Sequence, residues 1–217
     1  MPKTRGTMAG GGFTIAAIRL DSPPLTERQR IQLDAAAAAA VDEDVRVWLV
    51  GGPVRDLLLG RAVGDLDLTV EGDATRVAAR LAERLGGTVR EHAPFATATV
   101  SFPDATVDVA TARSEHYPLP GALPLVSPET LREDLLRRDF SINAMAVDLA
   151  TGALEDPAGG AADLEARRVR VLHDRSFLDD PTRIYRALRL AVRLGFSLET
   201  RTAMLMREAI RTGALTT

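Results

Sequence analysis

Cysteine is absent from the 217 residues, which excludes a disulfide framework, a zinc–thiolate site and a cysteine nucleophile. Lysine is nearly absent too: Lys3 is the only one, so almost all positive charge is arginine. Arginine suits phosphate recognition. A GC-rich genome explains the same usage and the alanine excess, so arginine content alone assigns no ligand. Aromatic residues make up 4%, too few to display a stacking platform for single-stranded RNA. No apolar run approaches the roughly 20 residues of a membrane span. The polar, glycine-rich stretch Met1 to Gly12 does not read as a secretory signal. His92, His116 and His173 are scattered without metal-ligand spacing and read as surface or satisfied loop residues. The net charge is −3, so a polyanionic partner must meet a local basic stripe rather than a basic surface.

What is present is ample for a folded core: 46% of the residues are apolar and 26% charged. The length suits one large domain or two small ones. Residues 1–24 read as a loose lead-in. Thr26 can cap a helix to about Val41, in which Ala35–Ala40 is a strong helix former. A buried strand is predicted at Val45–Val50, broken by Gly51-Gly52, with Pro53 opening a short helix that Gly60 ends. Further strands are predicted over Asp65–Val70, Ala96–Phe102 and Thr106–Thr111, with a helix capped by Asp73 over Ala74–Leu85. Ser114 to Pro128 carries four prolines and no periodicity, and reads as an exposed loop. A helix over Glu129–Arg137 and short strands near Val147–Leu149 and Val169–Leu172 follow. From Asp180 the pattern is helical, in Asp180–Leu194 and Leu198–Thr212. Two helices cannot bury both their faces, so they pack back on the α/β portion or belong to a longer chain.

The chemistry concentrates after the glycine pair. Gly51-Gly52-Pro53-Val54-Arg55-Asp56 is followed by Gly64-Asp65-Leu66-Asp67-Leu68. Residues i and i+2 of a strand point to one face, which would place Asp65 and Asp67 side by side. Adjacent carboxylates repel unless a cation sits between them, and Mg²⁺ commonly takes one or two carboxylates plus substrate phosphates. Asp108, flanked by valines on another strand, is a candidate third ligand or base. Asp-x-Asp is also a common surface pattern. Here it follows a glycine turn opening a helix, where backbone N–H groups bind phosphate and Arg55 can add a charged fork.

In these motifs the chain resembles the class II tRNA nucleotidyltransferases and bacterial poly(A) polymerases, within the polymerase-β-type nucleotidyltransferase superfamily. The family motif runs Gly-Gly-x-Val-Arg-Asp, Leu-Leu-Gly, Asp-x-Asp, matched by residues 51–56, 58–60 and 65–67. The resemblance implies that Asp65 and Asp67 hold two catalytic Mg²⁺ ions; Asp108 stands beside them as a catalytic candidate from its place on another strand. It implies that Gly51, Gly52 and Arg55 meet the nucleotide phosphates.

Arg137-Arg138-Asp139-Phe140-Ser141-Ile142-Asn143-Ala144 matches the family's Arg-Arg-Asp-Phe-Thr-x-Asn-Ala, with Ser141 for Thr. By itself it could be a solvated ion pair followed by a cap. The match implies nucleotide binding at Arg138, with Asp139 and Asn143 supporting the ribose. Leu154–Gly160 resembles the family's Asp-Pro-x-Gly-Gly turn, read as structural or hinge-like.

In the last portion, Asp179, Arg183, Arg186, Arg189 and Arg193 fall on one side of a helix. Ile184, Leu188 and Ala191 fall on another and would be core. Such a pattern also arises from an acidic N-terminus and i,i+4 pairs. Cytosine and adenine each present an amino donor beside a ring-nitrogen acceptor, whereas uracil and guanine present a carbonyl there. An aspartate–arginine pair can therefore accept C and A and reject U and G. The resemblance assigns that task to Asp180 and Arg183, with Asp179 as the preceding acid and Arg186 and Arg189 as further nucleotide contacts. Asp179 is one carbon shorter than the glutamate of many members.

The resemblance spans roughly Val45 to Thr212. It implies an α/β fold of the α+β type: a polymerase-β-like nucleotidyltransferase head with a mixed β-sheet and flanking helices over residues 25–172, then the start of a helical neck over 173–217. The helical body and tail that grip tRNA in the family are not in the sequence. The implied activity is template-independent addition of C and/or A from CTP and ATP to the 3′ end of tRNA, in the cytoplasm, with no membrane partner. CCA, CC-only, A-only and poly(A) addition share these motifs. The interval 114–128 can hold the family's loop that helps switch from C to A. Two alternatives stand beside this reading: a nucleotide-binding fragment without independent activity, and a small-molecule nucleotidyltransferase. The Asp180–Arg183 pair argues against the second.

Overall fold

The computed structural model describes residue 20 and residues 24–92, 96–118 and 124–215. The lead-in expected over residues 1–24 lies almost wholly outside the described residues. The first part of the chain runs α1 (Glu27–Asp42), β1 (Arg46–Val50), α2 (Gly52–Leu58), β2 (Leu66–Glu71), α3 (Ala74–Leu85), β3 (Thr88–His92), β4 (Thr97–Phe102) and β5 (Ala105–Thr111). Then come β6 (Arg113–His116), β7 (Leu125–Pro128), α4 (Leu131–Leu136), β8 (Ala146–Asp148), β9 (Leu154–Glu155), α5 (Gly160–Glu165) and β10 (Arg168–Val169). The chain ends with α6 (Ser176–Asp179), α7 (Thr182–Leu194), β11 (Ser197–Leu198) and α8 (Thr200–Arg211).

Seven strands form one mixed sheet in the order β3-β4-β5-β2-β1-β8-β9. β2 and β5 are parallel and the other neighbours antiparallel. Strand alternation divides β1 between two cores. Val47 and Leu49 join the main core, while Trp48 and Val50 pack with Leu131, Leu135 and Ala146 under α4. The alanines of α1 are now explained. Ala36, Ala39 and Ala40 are buried in the same core as Ala74, Val77 and Ala78 of α3, and small side chains let the two helices approach. Thr26 caps α1 in a reciprocal capping box with Gln29, and Asp73 caps α3.

Four expectations change. β3 was not anticipated: Thr88–His92 alternates weakly and pairs as an edge strand with β4. The predicted loop 114–128 is largely a hairpin, with β6 paired to β7 and residues 119–123 outside the described residues. Its prolines disguised it: Pro128 ends β7, and Pro118 and Pro124 lie just outside the paired strands, where no ladder donor is needed. The second strand begins at Leu66, so Asp65 sits on the bend before it rather than in the ladder. On α7 the core stripe is Ile184, Ala187, Leu190 and Leu194, while Leu188 is 47% exposed. The two last helices pack back: residues of α7 and α8 share the main core with the sheet, and β10 pairs in parallel with β11. No helix among the described residues is long and apolar enough to cross a membrane.

Candidate active site

The parallel pairing of β2 with β5 sets Asp67 directly opposite Asp108. Both line a cleft of about 810 Å³ between the sheet, the Arg137–Asn143 segment and the start of α7. Burial pushes the Asp67 carboxyl up to about 6, and the neighbouring Asp108 and Asp65 charges add to the rise, while Arg138 opposes it. The surplus of negative charge at this strand end suits a cation. Among the described residues no three carboxylates or histidines are close enough to hold a metal alone. A Mg²⁺ ion on one or two of these aspartates would complete its shell from phosphate oxygens and water. Asp65 is exposed beside the cleft and is not among the residues lining it, although its charge reaches Asp67.

Asp108 is held from the next strand. Thr99 lies opposite it in the β4–β5 register and donates its hydroxyl to Asp108 Oδ1 at 2.6 Å. His92 Nε2 stands 3.5 Å from the same Thr99 oxygen, at the cleft wall. Neither residue carries a motif, and His92, expected on the surface or in a loop, ends β3 instead; the β3–β4 and β4–β5 pairings bring both here.

The glycine turn faces Arg138. Gly51 has φ +72°, and a side chain on it would approach Arg138 Nη1 to 2.9 Å. Arg138 is aimed by Asp134, whose Oδ2 accepts Nε at 3.3 Å and Nη2 at 2.8 Å. The other oxygen of Asp134 accepts Arg137 Nη2 at 2.6 Å. Burial opposes ionisation of Asp134, yet Arg138 and Arg137 hold its carboxyl below the usual range.

The remaining expected residues divide. Arg55 borders the cleft, but its guanidinium is largely engaged: Nε and Nη2 donate to Asp56 at 2.9 Å, and Nη1 donates to Asn143 Oδ1 at 2.7 Å. All three guanidinium nitrogens thus have partners within the chain, beside Gly52. Asn143 Nδ2 donates to Asp139 Oδ1 at 3.0 Å, and Asp139 Oδ2 accepts Arg186 Nε at 2.9 Å and Nη2 at 2.6 Å. Asp180 and Arg183 both line the cleft, with Arg183 Nε 3.7 Å from Asp180 Oδ2. Arg183 is buried and further held by Ser176 Oγ at 2.9 Å and the Arg137 carbonyl at 3.2 Å. Asp179 ends α6 and pairs instead with Arg175 at 3.2 Å, away from the cleft lining. Arg189 lines a smaller hollow beside Asp139, Arg186 and Arg193.

From the hairpin, Glu115 and Tyr117 also face the cleft. Glu115 accepts from Arg137 and from Tyr117 Oη, the latter at 2.9 Å. Burial pushes the Tyr117 phenol up to about 12, and the Glu115 bond and charge add to it.

Residues 47–170, more than half of the chain, match the family model described as "Poly A polymerase head domain". The chain belongs to that family. Among curated members of the wider set, an A-adding tRNA nucleotidyltransferase of Geobacter sulfurreducens is 47% identical over 176 residues. That match takes in 79% of this chain and 20% of the relative. A CC-adding tRNA nucleotidyltransferase of Deinococcus radiodurans is 47% identical over 155 residues, 70% of this chain and 41% of the relative. A solved structure of a CCA-adding enzyme in an apo form superimposes with a TM-score of 0.81 at 38% identity, over 88% of this chain and 46% of that one. A tRNA nucleotidyltransferase complexed with a primer tRNA and an incoming ATP analog superimposes with a TM-score of 0.74 at 42% identity, over 83% of this chain and 51% of that one. This poly(A) polymerase head-domain chain thus spans between a fifth and about half of the length of these relatives. The mixed sheet with flanking helices is the fold that the resemblance implied.

Proposed function

We propose that the chain is the catalytic portion of a tRNA nucleotidyltransferase, adding C and/or A from CTP or ATP to the 3′ end of tRNA in the cytoplasm. The carrying observation is the register that sets Asp67 opposite Asp108 in a cleft shared with Arg138 and the Asp180–Arg183 pair. The relatives' names support the substrate class: A-adding, CC-adding, and a complex with primer tRNA and an ATP analog.

In the reaction, the RNA 3′-oxygen bonds to the α-phosphorus, the bond to the β-phosphate bridge breaks, and pyrophosphate leaves. Asp65 and Asp67 would hold Mg²⁺, which when bound lowers the charge on the phosphates and activates the hydroxyl. Asp108, with one oxygen held by Thr99, has the other to receive the hydroxyl proton. Arg138 has Nη1 directed at the Gly51 turn, where it neutralises phosphate charge. Gly51 and Gly52 leave room for the triphosphate against the backbone. Asp180 and Arg183 accept the amino-bearing bases. Asp139 and Asn143 border the ribose position while bonded to Arg186 and Arg55. In this reading residues 25–172 form the head and 173–217 begin the neck, which β11 ties to the head through β10.

The test is incorporation of labelled CTP and ATP, singly and together, on tRNAs ending before, within and just short of CCA. Asp65→Ala/Asp67→Ala should lower extension by about a thousandfold or more, several kcal/mol of barrier. Extension that survives this double variant refutes the metal assignment. A second reading, a nucleotide-binding fragment, is favoured by the share of the relatives that the chain spans; it predicts CTP and ATP binding with no extension at high tRNA concentration.

A further inference from the structure

Two aspartates outside the metal pair are joined by an unbroken polar chain that begins and ends on α7. Arg193 Nη2 lies 3.2 Å from Asp56 Oδ2. Asp56 accepts both bonds from Arg55 Nε and Nη2, and Arg55 Nη1 donates to Asn143. Asn143 donates to Asp139, and Asp139 accepts the two bonds from Arg186. Arg186 and Arg193 are seven residues apart, so they stand on one face of α7 about two turns, or roughly 10 Å, from each other. The chain therefore closes a ring through α2, the Arg138-bearing segment and α7.

We propose that Asp56 and Arg193 are positioning residues that clasp α7 over the cleft, fixing the base-selecting pair Asp180–Arg183 relative to the phosphate-facing glycine turn. The inference rests on the reading above for what Asp180 and Arg183 do. The backbone of α7 packs chiefly on α6, β10 and β11, and the long Arg193 side chain reaches Asp56 on α2. At its start, α7 is held by Arg183 through Ser176 and the Arg137 carbonyl. Along its length α7 is also held by the packed stripe Ile184, Ala187, Leu190 and Leu194, by Arg186 on Asp139 and by Arg61 on the Leu194 carbonyl. Arg193 adds a tie that links the end of α7 directly to the glycine-turn motif through Asp56. Both carboxylates are buried, with side chains 6% and 8% exposed, whereas the arginine ends are largely solvated. Buried carboxylates demand partners, so the head dictates where these arginines end. Asp56 immediately follows Arg55 in the glycine-turn motif, and its carboxylate is what turns Arg55 toward Asn143. Small displacements matter at such a site: a shift of about 1 Å can cost about a hundredfold.

The test measures Kd for CTP, ATP and UTP with Mg²⁺, together with Tm, on the full 217-residue chain. Arg193→Ala should weaken the preference for CTP and ATP over UTP about tenfold, since base rejection depends on unmatched polar groups meeting in register. Tm should scarcely move, because the substituted side chain is mostly exposed. Arg193→Lys should recover most of the preference. In an Asp56→Asn background, Arg193→Ala should add nothing, because the shared partner is already lost. An equal loss in both backgrounds would mean that Arg193 touches the nucleotide itself, and would overturn the clasp. So would a preference unchanged by Arg193→Ala, or a uniform loss of affinity with a falling Tm. A wild-type chain that binds all three nucleotides alike would instead remove the base-selection reading, and the clasp with it.

Discussion

Two groups of aspartates lie in or beside the same cleft and differ in their company. Asp67 and Asp108 face each other across parallel strands, with Asp65 close by and Arg138 offsetting the charge on Asp67. Asp134, Asp139 and Asp56 are each bonded to one or two arginines. The first group is poised for a charge that the chain does not supply. The second is internally neutralised and holds other side chains still. A carboxylate's role in this cleft thus follows from whether its counter-charge is built in.

Removing a member of the neutralised group should do most harm to the fold. Asp134→Ala leaves Arg137 and Arg138 without their buried partner. Stability should fall by about 3 kcal/mol, and Tm by about 10 °C, read by thermal unfolding. A change of less than about 1 kcal/mol would show that water replaces the carboxylate and that the contrast is overdrawn.

Gly51→Ala sits between the groups. Its left-handed backbone and the nearby Arg138 Nη1 predict a loss of about 1–2 kcal/mol. KM for the nucleotide should rise more than kcat falls, because Arg138 must move aside. Steady-state incorporation separates the two, and a normal KM would detach Arg138 from phosphate binding.

Asp67→Asn should do the reverse of Asp134→Ala: without Mg²⁺ it should stabilise the chain at pH 7 by about 1 kcal/mol, while extension is lost. The sign follows from proton linkage. The folded chain keeps a proton on Asp67 up to about pH 6, whereas an unfolded aspartate releases it near pH 4. Metal-free stability therefore falls as pH rises through that window. Asp134, held below the usual range, adds stability above about pH 4 that is lost as pH falls through its folded value. Denaturant unfolding across pH should show Asp67→Asn removing the first slope and Asp134→Asn the second. Mg²⁺ should raise the Tm of the wild type at pH 7 but not that of Asp67→Asn. Equal destabilisation by both substitutions would erase the distinction between the groups.

Much of this was legible along the chain because it is local. The cap at Thr26, the glycine break after Val50, the cap at Asp73 and the helix expected over Asp180–Leu194, found from Thr182, each depend on neighbours within a turn or two. Asp67, Arg138, Asp180 and Arg183 were marked by motif and do converge on one cleft. Asp179 was marked by the same motif but points to Arg175, since it closes α6 one turn after Arg175 while Asp180 is already extended beyond the helix. The hairpin 113–128 was hidden by its prolines.

The residues that no motif announced depend on pairings across the fold. Thr99 reaches Asp108 only through the β4–β5 register, and Glu115 meets Arg137 only when the hairpin folds beside α4. Asp56 and Arg193 are 137 positions apart. By itself the sequence determined the elements, the family and the chemical types gathered at the motifs, because helix caps, strand periods and motif spacings act over a few residues. Only the tertiary structure decided which aspartates receive an arginine and which face another carboxylate, because charge neutralisation is a matter of ångströms between segments far apart in the chain.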